Sequence, residues 1–186
     1  MDKNYQKKIE YRTWAKDLRS KLDIKSISLA IESKIKKLDV YKSAKIVMSY
    51  MAKEIEISLS HLFQDGTKSW YLPVVGTLHA TSLLVAPYVP DKTKLSKNKY
   101  GISEPEIIKD DFFDQNKNKV KLDIIFVPGL CFDKKNYRLG FGKGYYDNFL
   151  KLNPESIKIG CCPKECLVEE LPIDDWDIKM DMVITE

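Results

Sequence analysis

The run Asp123-Ile124-Ile125-Phe126-Val127-Pro128-Gly129 constrains this chain more than any other segment. Consecutive apolar residues stopped by Pro-Gly read as a buried central strand. Beyond it comes Arg138-Leu139-Gly140-Phe141-Gly142-Lys143-Gly144-Tyr145-Tyr146-Asp147. Three alternating glycines remove the side chains that would keep a ligand from the backbone, and Arg138 and Lys143 set positive charge beside the exposed amides. A strand, a glycine loop and a helix starting near Tyr145 describe a phosphate cradle, with a plain irregular loop as the alternative.

Spacing excludes one familiar cradle and disfavours another. A nucleotide P-loop ends in Gly-Lys-Ser/Thr, whereas Lys143 is followed by Gly144. The dinucleotide fingerprint needs its third glycine three residues after the second and a short turn from the strand; here Pro128 to Tyr137 intervene.

With 186 residues the chain is long enough for one substantial core and short of two, so a single domain over 1–186 is expected. Its 44% apolar and 31% charged residues exclude a disordered or membrane-spanning class. The first residues, Met1 to Lys8, carry no apolar core of the kind a secretory signal needs, so a cytoplasmic protein is expected. Cys131, Cys161, Cys162 and Cys166 fit reduced thiols packed in a core. His61 and His79 lie far from them in sequence, against a structural zinc site. A net charge of +4 with scattered lysines does not call for nucleic acid.

Periodicity supplies the rest. Tyr11, Trp14, Leu18 and Leu22 give one face of a first helix, with Lys8, Arg12, Lys16 and Arg19 as a basic stripe on another. Ile24, Ile27, Ile31, Ile35 and Leu38 mark a second helix, closed by Asp39 to Ser43 before a buried strand at Ile46-Val47-Met48. Ser58 reads as an N-cap for a short helix through Phe63. Further strands are expected at Trp70–Val74, Ser82–Ala86, Leu122–Val127, Ile157–Cys161 and Met182–Ile184, a surface loop at Asp91–Tyr100, and a helix at Tyr145–Leu152. Alternating strands and helices predict a three-layer α/β/α sandwich with a largely parallel, mixed sheet and sites at strand ends.

Taken together, Pro128-Gly129-Leu130, Phe132-Asp133, Arg138-Leu139-Gly140, Gly142 and Gly144-Tyr145-Tyr146-Asp147 resemble the 5-formyltetrahydrofolate cyclo-ligase family. Lys8 with Arg12, Tyr50 with Glu54, Gly101-Ile102-Ser103-Glu104-Pro105, and Asp177 with Asp181 extend the resemblance over nearly the whole chain. The resemblance implies a Rossmann-like sandwich of the NagB/RpiA/CoA-transferase kind. It implies an enzyme that uses ATP and Mg²⁺ to close 5-formyltetrahydrofolate to 5,10-methenyltetrahydrofolate, working as a monomer on a small molecule. Lys8, Arg12, Arg138, Leu139, Gly140, Phe141, Gly142, Lys143, Gly144, Tyr145 and Tyr146 would then hold ATP, with Lys143, Arg138 and Tyr145 catalytic. Ser49, Tyr50, Met51, Glu54, Tyr100, Glu104 and Tyr145 would contact the folate. Asp147 and Asp177 would hold magnesium, with Asp181 as the alternative to Asp177. The lysines from Lys92 to Lys99 suit a polyglutamate tail.

Overall fold

The computed structural model describes residues 3–75, 83–106 and 120–186. Its first half contains α1 (Lys3–Arg19), α2 (Ile24–Ile35), α3 (Asp39–Ser43), β1 (Ile46–Met48), a 3₁₀ turn (Ser60–Gln64), β2 (Ser69–Val75), β3 (Leu83–Tyr88), β4 (Leu95–Lys97) and β5 (Ser103–Pro105). The second half adds β6 (Ile124–Val127), β7 (Cys131–Asp133), β8 (Arg138–Leu139), α4 (Tyr145–Lys151), β9 (Ile157–Cys161), β10 (Leu167–Val168) and β11 (Met182–Ile184). The main sheet runs β11-β9-β6-β1-β2-β3, parallel throughout except for antiparallel β3. The chain winds from β1 toward β3 on one side and from β6 toward β11 on the other. The junction of β1 and β6 is therefore the switch point, where loops leaving the strand ends diverge and leave a crevice.

The central strands alternate between two cores. Val47, Ile124 and Phe126 pack with Ile31, Ile35, Tyr41 and Leu62 from α2, α3 and the 3₁₀ turn. Met48, Ile125 and Val127 pack with Ala15, Phe149 and Leu150 from α1 and α4. Because both faces are covered, β6 has no polar position, which is why it reads as an unbroken apolar run. The expected strands and α2 stand as predicted, and so does the α/β sandwich. His79 and the start of the strand expected from Ser82 lie outside the described residues.

Phe132 locks the second half together. A Cβ on Gly129 would come within 2.7 Å of its ring, and one on Gly160 within 2.2 Å, so these glycines form the slot it fills. Asp133, fully buried, organises the following turn: its Oδ1 accepts the Lys135 and Tyr137 amides at 3.0 and 2.8 Å, and its Oδ2 accepts Leu171 N–H at 3.0 Å.

Several local expectations are corrected. The basic stripe of α1 is split: Lys8 and Arg19 are buried with Ala15, Arg12 is half-buried and Lys16 is exposed, while on the apolar face Tyr11 and Leu18 pack on the core but Trp14 is 39% exposed. Arg19 donates to the carbonyls of Leu130 (2.7 Å), Gly129 (2.9 Å) and Ile55 (2.9 Å), so unsatisfied loop carbonyls draw the guanidinium inside. The loop expected at 91–100 contains β4, paired antiparallel with β5 as a hairpin. Ser58 is not the cap of the 3₁₀ turn, whose N-cap is Leu59; Glu32 instead accepts the His61 amide at 2.9 Å. All four cysteines are buried, and burial pushes the Cys131 thiol up to about 12. Among the described residues no helix is long and apolar enough to cross a membrane.

Candidate active site

The crevice is built by four segments. The loop after β1 carries Ser49 to Glu56, and the loop after β6 leads through the β7–β8 pair into Gly140–Gly144 and α4. The residues from Ile173 to Asp177 and the Lys8 and Arg12 side of α1 complete it.

The glycines serve different ends. A Cβ on Gly140 would lie 2.5 Å from Arg138 Nη1, so this glycine makes room for Arg138. Gly142 has φ +91°, and a Cβ there would press on the Arg12 guanidinium at 3.1 Å. Arg12 Nε also donates to the Gly140 carbonyl at 2.9 Å, which lays α1 against the glycine loop. Gly144, at φ +70°, is the left-handed N-cap of α4.

Charges in the crevice are paired. Arg138, only 7% exposed in its side chain, donates from Nη2 to Asp147 Oδ1 at 2.9 Å and from Nη1 to the Pro128 carbonyl at 3.3 Å; its Nε is buried with no partner. Lys8 Nζ lies 2.6 Å from Asp174 Oδ2 and 2.5 Å from Asp177 Oδ2. The Lys8 hydrogen bond, helped by Asn4 and the Lys8 and Arg12 charges, holds the Asp174 carboxyl below the usual aspartate range. Lys143 is exposed on the loop. Phe141, beside it, lies under two ammonium groups, Lys53 Nζ 4.5 Å and Lys16 Nζ 5.6 Å from its ring centre.

The structure lays Arg12 on the glycine loop and pairs Arg138 with Asp147 beside it, while Lys8, one turn from Arg12 on α1, pairs with Asp174 and Asp177. Leu139 reaches the site through its backbone only, since its side chain is in the core. Asp181 is spent elsewhere: its Oδ2 accepts the Lys158 amide at 2.7 Å near the start of β9. Tyr145 and Tyr100 meet hydroxyl to hydroxyl at 3.1 Å, joining α4 to the β4–β5 hairpin. Glu104 Oε2 accepts from Val75 N–H at 3.1 Å and the Asn98 amide at 2.9 Å, which fixes that hairpin against β2. Tyr146 packs in the crevice with the Arg138 guanidinium 5.6 Å from its ring, and burial raises its phenol.

On the loop after β1 the expectation divides. Ser49 is fully buried, with an Oγ that finds no partner, and Met51 is half-buried. Tyr50 is buried with its hydroxyl on the Ile57 carbonyl at 2.8 Å, so it shapes the loop from beneath. Glu54 is exposed; Glu56 is the buried carboxylate, accepting Lys53 N–H at 2.8 Å, with burial raising its pKa. Glu56, Asp174 and Lys53 were given no role from sequence, and Arg19 only a place in the basic stripe. No local pattern separates Glu56 from Glu54: they stand two residues apart in a turn that buries only the second.

Among the described residues no three metal-ligating side chains cluster. Of the two carboxylates expected to hold magnesium, Asp147 is paired with Arg138 and Asp177 with Lys8; magnesium typically takes only one or two protein carboxylates beside phosphate oxygens and water. A groove of about 820 Å³ runs along the outer side of α1, past Tyr11, Trp14 and Ile173, and contains none of the glycine-loop residues.

Fold and crevice define the class: a three-layer α/β protein with a mostly parallel sheet and a crevice at its switch point. The model of the 5-formyltetrahydrofolate cyclo-ligase family matches residues 7–186. The 5-formyltetrahydrofolate cyclo-ligase of Haemophilus influenzae is 33% identical over 185 residues, covering 95% of this chain and 96% of that protein. The Escherichia coli enzyme of the same name is 35% identical over 130 residues, 68% of each chain. The solved 5,10-methenyltetrahydrofolate synthetase of Aquifex aeolicus superposes with a TM-score of 0.77 at 31% identity, over 95% of this chain and 88% of that one. The synthetase from Mycoplasma pneumoniae, 23% identical, shares the fold with a TM-score of 0.70 over 100% of this chain and 99% of its own. This chain belongs to the 5-formyltetrahydrofolate cyclo-ligase family.

Proposed function

We propose that the crevice uses ATP, held with magnesium, to close the formyl group of 5-formyltetrahydrofolate onto the second folate nitrogen. The products are 5,10-methenyltetrahydrofolate, ADP and phosphate. An amide oxygen is a poor leaving group. Attack of the formyl oxygen on the γ-phosphorus, with ADP departing, converts it to a phosphate ester. The aminobenzoyl-side nitrogen then attacks the formyl carbon and loses its proton, and phosphate leaves with the C–O electron pair. Both steps ask the protein for positioning and charge rather than covalent chemistry.

The residues divide accordingly. Arg12, Lys143 and the amides of Gly140 to Gly144 take the phosphates, with Lys8 and Arg138 behind them. Asp147 and Asp177 would hold magnesium, which supplies neutralising charge to the phosphate oxygens when bound. Glu56 takes the part expected of Glu54, since a buried carboxylate beside Tyr146 suits the donor-rich pterin ring. Tyr100 and Tyr145 form the facing wall. The hairpin lysines receive a polyglutamate tail, so added glutamates tighten binding. The reading includes a monomeric, cytoplasmic enzyme, and light scattering near 21.5 kDa checks the first of these.

One observation carries this reading: Arg12 lies on the glycine loop, hydrogen-bonded at Gly140 and in contact with Gly142. The test is incubation with 5-formyltetrahydrofolate and Mg-ATP while the ultraviolet absorbance of the methenyl product is followed. Product formation, abolished in a stably folded Lys143→Ala variant, is expected. Absence of product from the unaltered protein, or full activity of the variant, overturns it.

A further inference from the structure

We infer that Asp174 is a positioning residue that keeps Lys8 in the crevice when Asp177 turns from Lys8 to a metal-chelated nucleotide. The inference rests on the nucleotide reading above and adds a residue to it.

Lys8 is 7% exposed and its ammonium has three N–H donors. Two are spent on carboxylates, Asp174 and Asp177, leaving the third for a ligand. The two carboxylates are held differently. Asp174 uses both oxygens on α1 side chains: Oδ2 accepts from Lys8 and Oδ1 from the Asn4 amide at 3.0 Å, while Asn4 also donates to the Ile173 carbonyl at 2.7 Å. Asp177 receives its two hydrogen bonds, from Lys8 and from Asp174 N–H at 2.8 Å, on the single oxygen Oδ2. Asp174 is therefore clamped to α1, and Asp177 has an oxygen to offer elsewhere.

The charges point the same way. One buried cation between two carboxylates leaves an excess negative charge, which a divalent ion on Asp177 offsets. Were Asp177 the sole partner of Lys8, a metal drawing it away would strand a buried ammonium, at a cost that would oppose metal binding. With Asp174 in place Lys8 keeps a counterion throughout. Lys8 stays aimed at the phosphates, and nucleotide and metal bind in support of one another.

Calorimetric titration with a non-hydrolysable ATP analogue, with and without magnesium, tests this. In Asp174→Asn the magnesium-dependent gain in affinity is expected to shrink about tenfold, the scale of one charge-assisted hydrogen bond. Asp174→Glu restores it, and Lys8→Met/Asp174→Asn shows no further loss beyond Lys8→Met. If Asp174→Asn does not fold, Asn4→Ala, which releases Asp174 Oδ1 and the Ile173 carbonyl but leaves the Lys8–Asp174 contact in place, is expected to reduce the gain about threefold. A folded Asp174→Asn protein with the unaltered gain, an additive double variant, or an unaltered gain in Asn4→Ala overturns the inference while leaving the nucleotide site standing. Failure of the unaltered protein to bind the analogue overturns both.

Discussion

Removing the Arg19 guanidinium tests how the site is held to its scaffold. Arg19 is 1% exposed, and its three hydrogen bonds tie α1 to the loops after β6 and β1 at Gly129, Leu130 and Ile55. Arg19→Met keeps most of the apolar stem and deletes all three donors. Each hydrogen bond from a charged group contributes about 1.5–3 kcal/mol net, and a carbonyl left buried without a donor costs a similar amount. Relief from burying a charge and the new thioether contacts recover part, so a net loss of about 3 kcal/mol is expected. At about 2 kcal/mol per molar in urea, the midpoint should fall by about 1.5 M with the slope unchanged. Arg19→Lys should lose nearly as much, because one ammonium does not span three carbonyls. Folate affinity should fall too, since Ile55 precedes Glu56. A midpoint shift of under about 0.3 M refutes the reasoning.

Three further outcomes follow from single distances. Gly160→Ala puts a Cβ 2.2 Å from the Phe132 ring, so a loss of about 3 kcal/mol is expected in thermal unfolding, partly recovered by Phe132→Leu. Gly142→Ala meets both a left-handed backbone and the Arg12 guanidinium; it should cost about 1–2 kcal/mol in stability and raise KM for ATP several-fold. Hydrogen bonds from the Ile46 and Lys45 amides hold Asp123 below the ordinary 3.8, so it supports the fold fully above that value and loses its contribution as pH falls through the lower folded value. Asp123→Asn should therefore flatten the pH dependence of stability below about pH 4, and an unchanged slope there counts against this.

The fold was legible wherever burial is written locally. The isoleucines of α2 and the apolar runs of β1 and β6 mark elements packed into the two cores, so periodicity alone identifies them. The β4–β5 hairpin escaped because each strand is three residues long and only Pro105 is buried, so no alternation marks a buried face. On α1 the helical period set the cations apart from the apolar face, while Lys8 and Arg19 are drawn inward by carboxylates and carbonyls more than a hundred residues away. No local pattern records such partners.

The same cause limits how far the crevice was legible. Glycine spacing and flanking charge announced the loop, yet which glycine serves which atom is a matter of contact: Gly140 accommodates Arg138, and Gly142 admits Arg12. Arg138 and Lys8, 7% and 8% exposed in their side chains, sit where a lone cation would be costly, so each needs a carboxylate beside it in the absence of any ligand. Asp147 supplies that need for Arg138, and Asp174 with Asp177 for Lys8. A site that neutralises itself in this way favours a ligand that brings anion and cation together, because phosphate alone would compete with these carboxylates for their cations, and a metal drawn to Asp147 alone would leave Arg138 buried without a counterion.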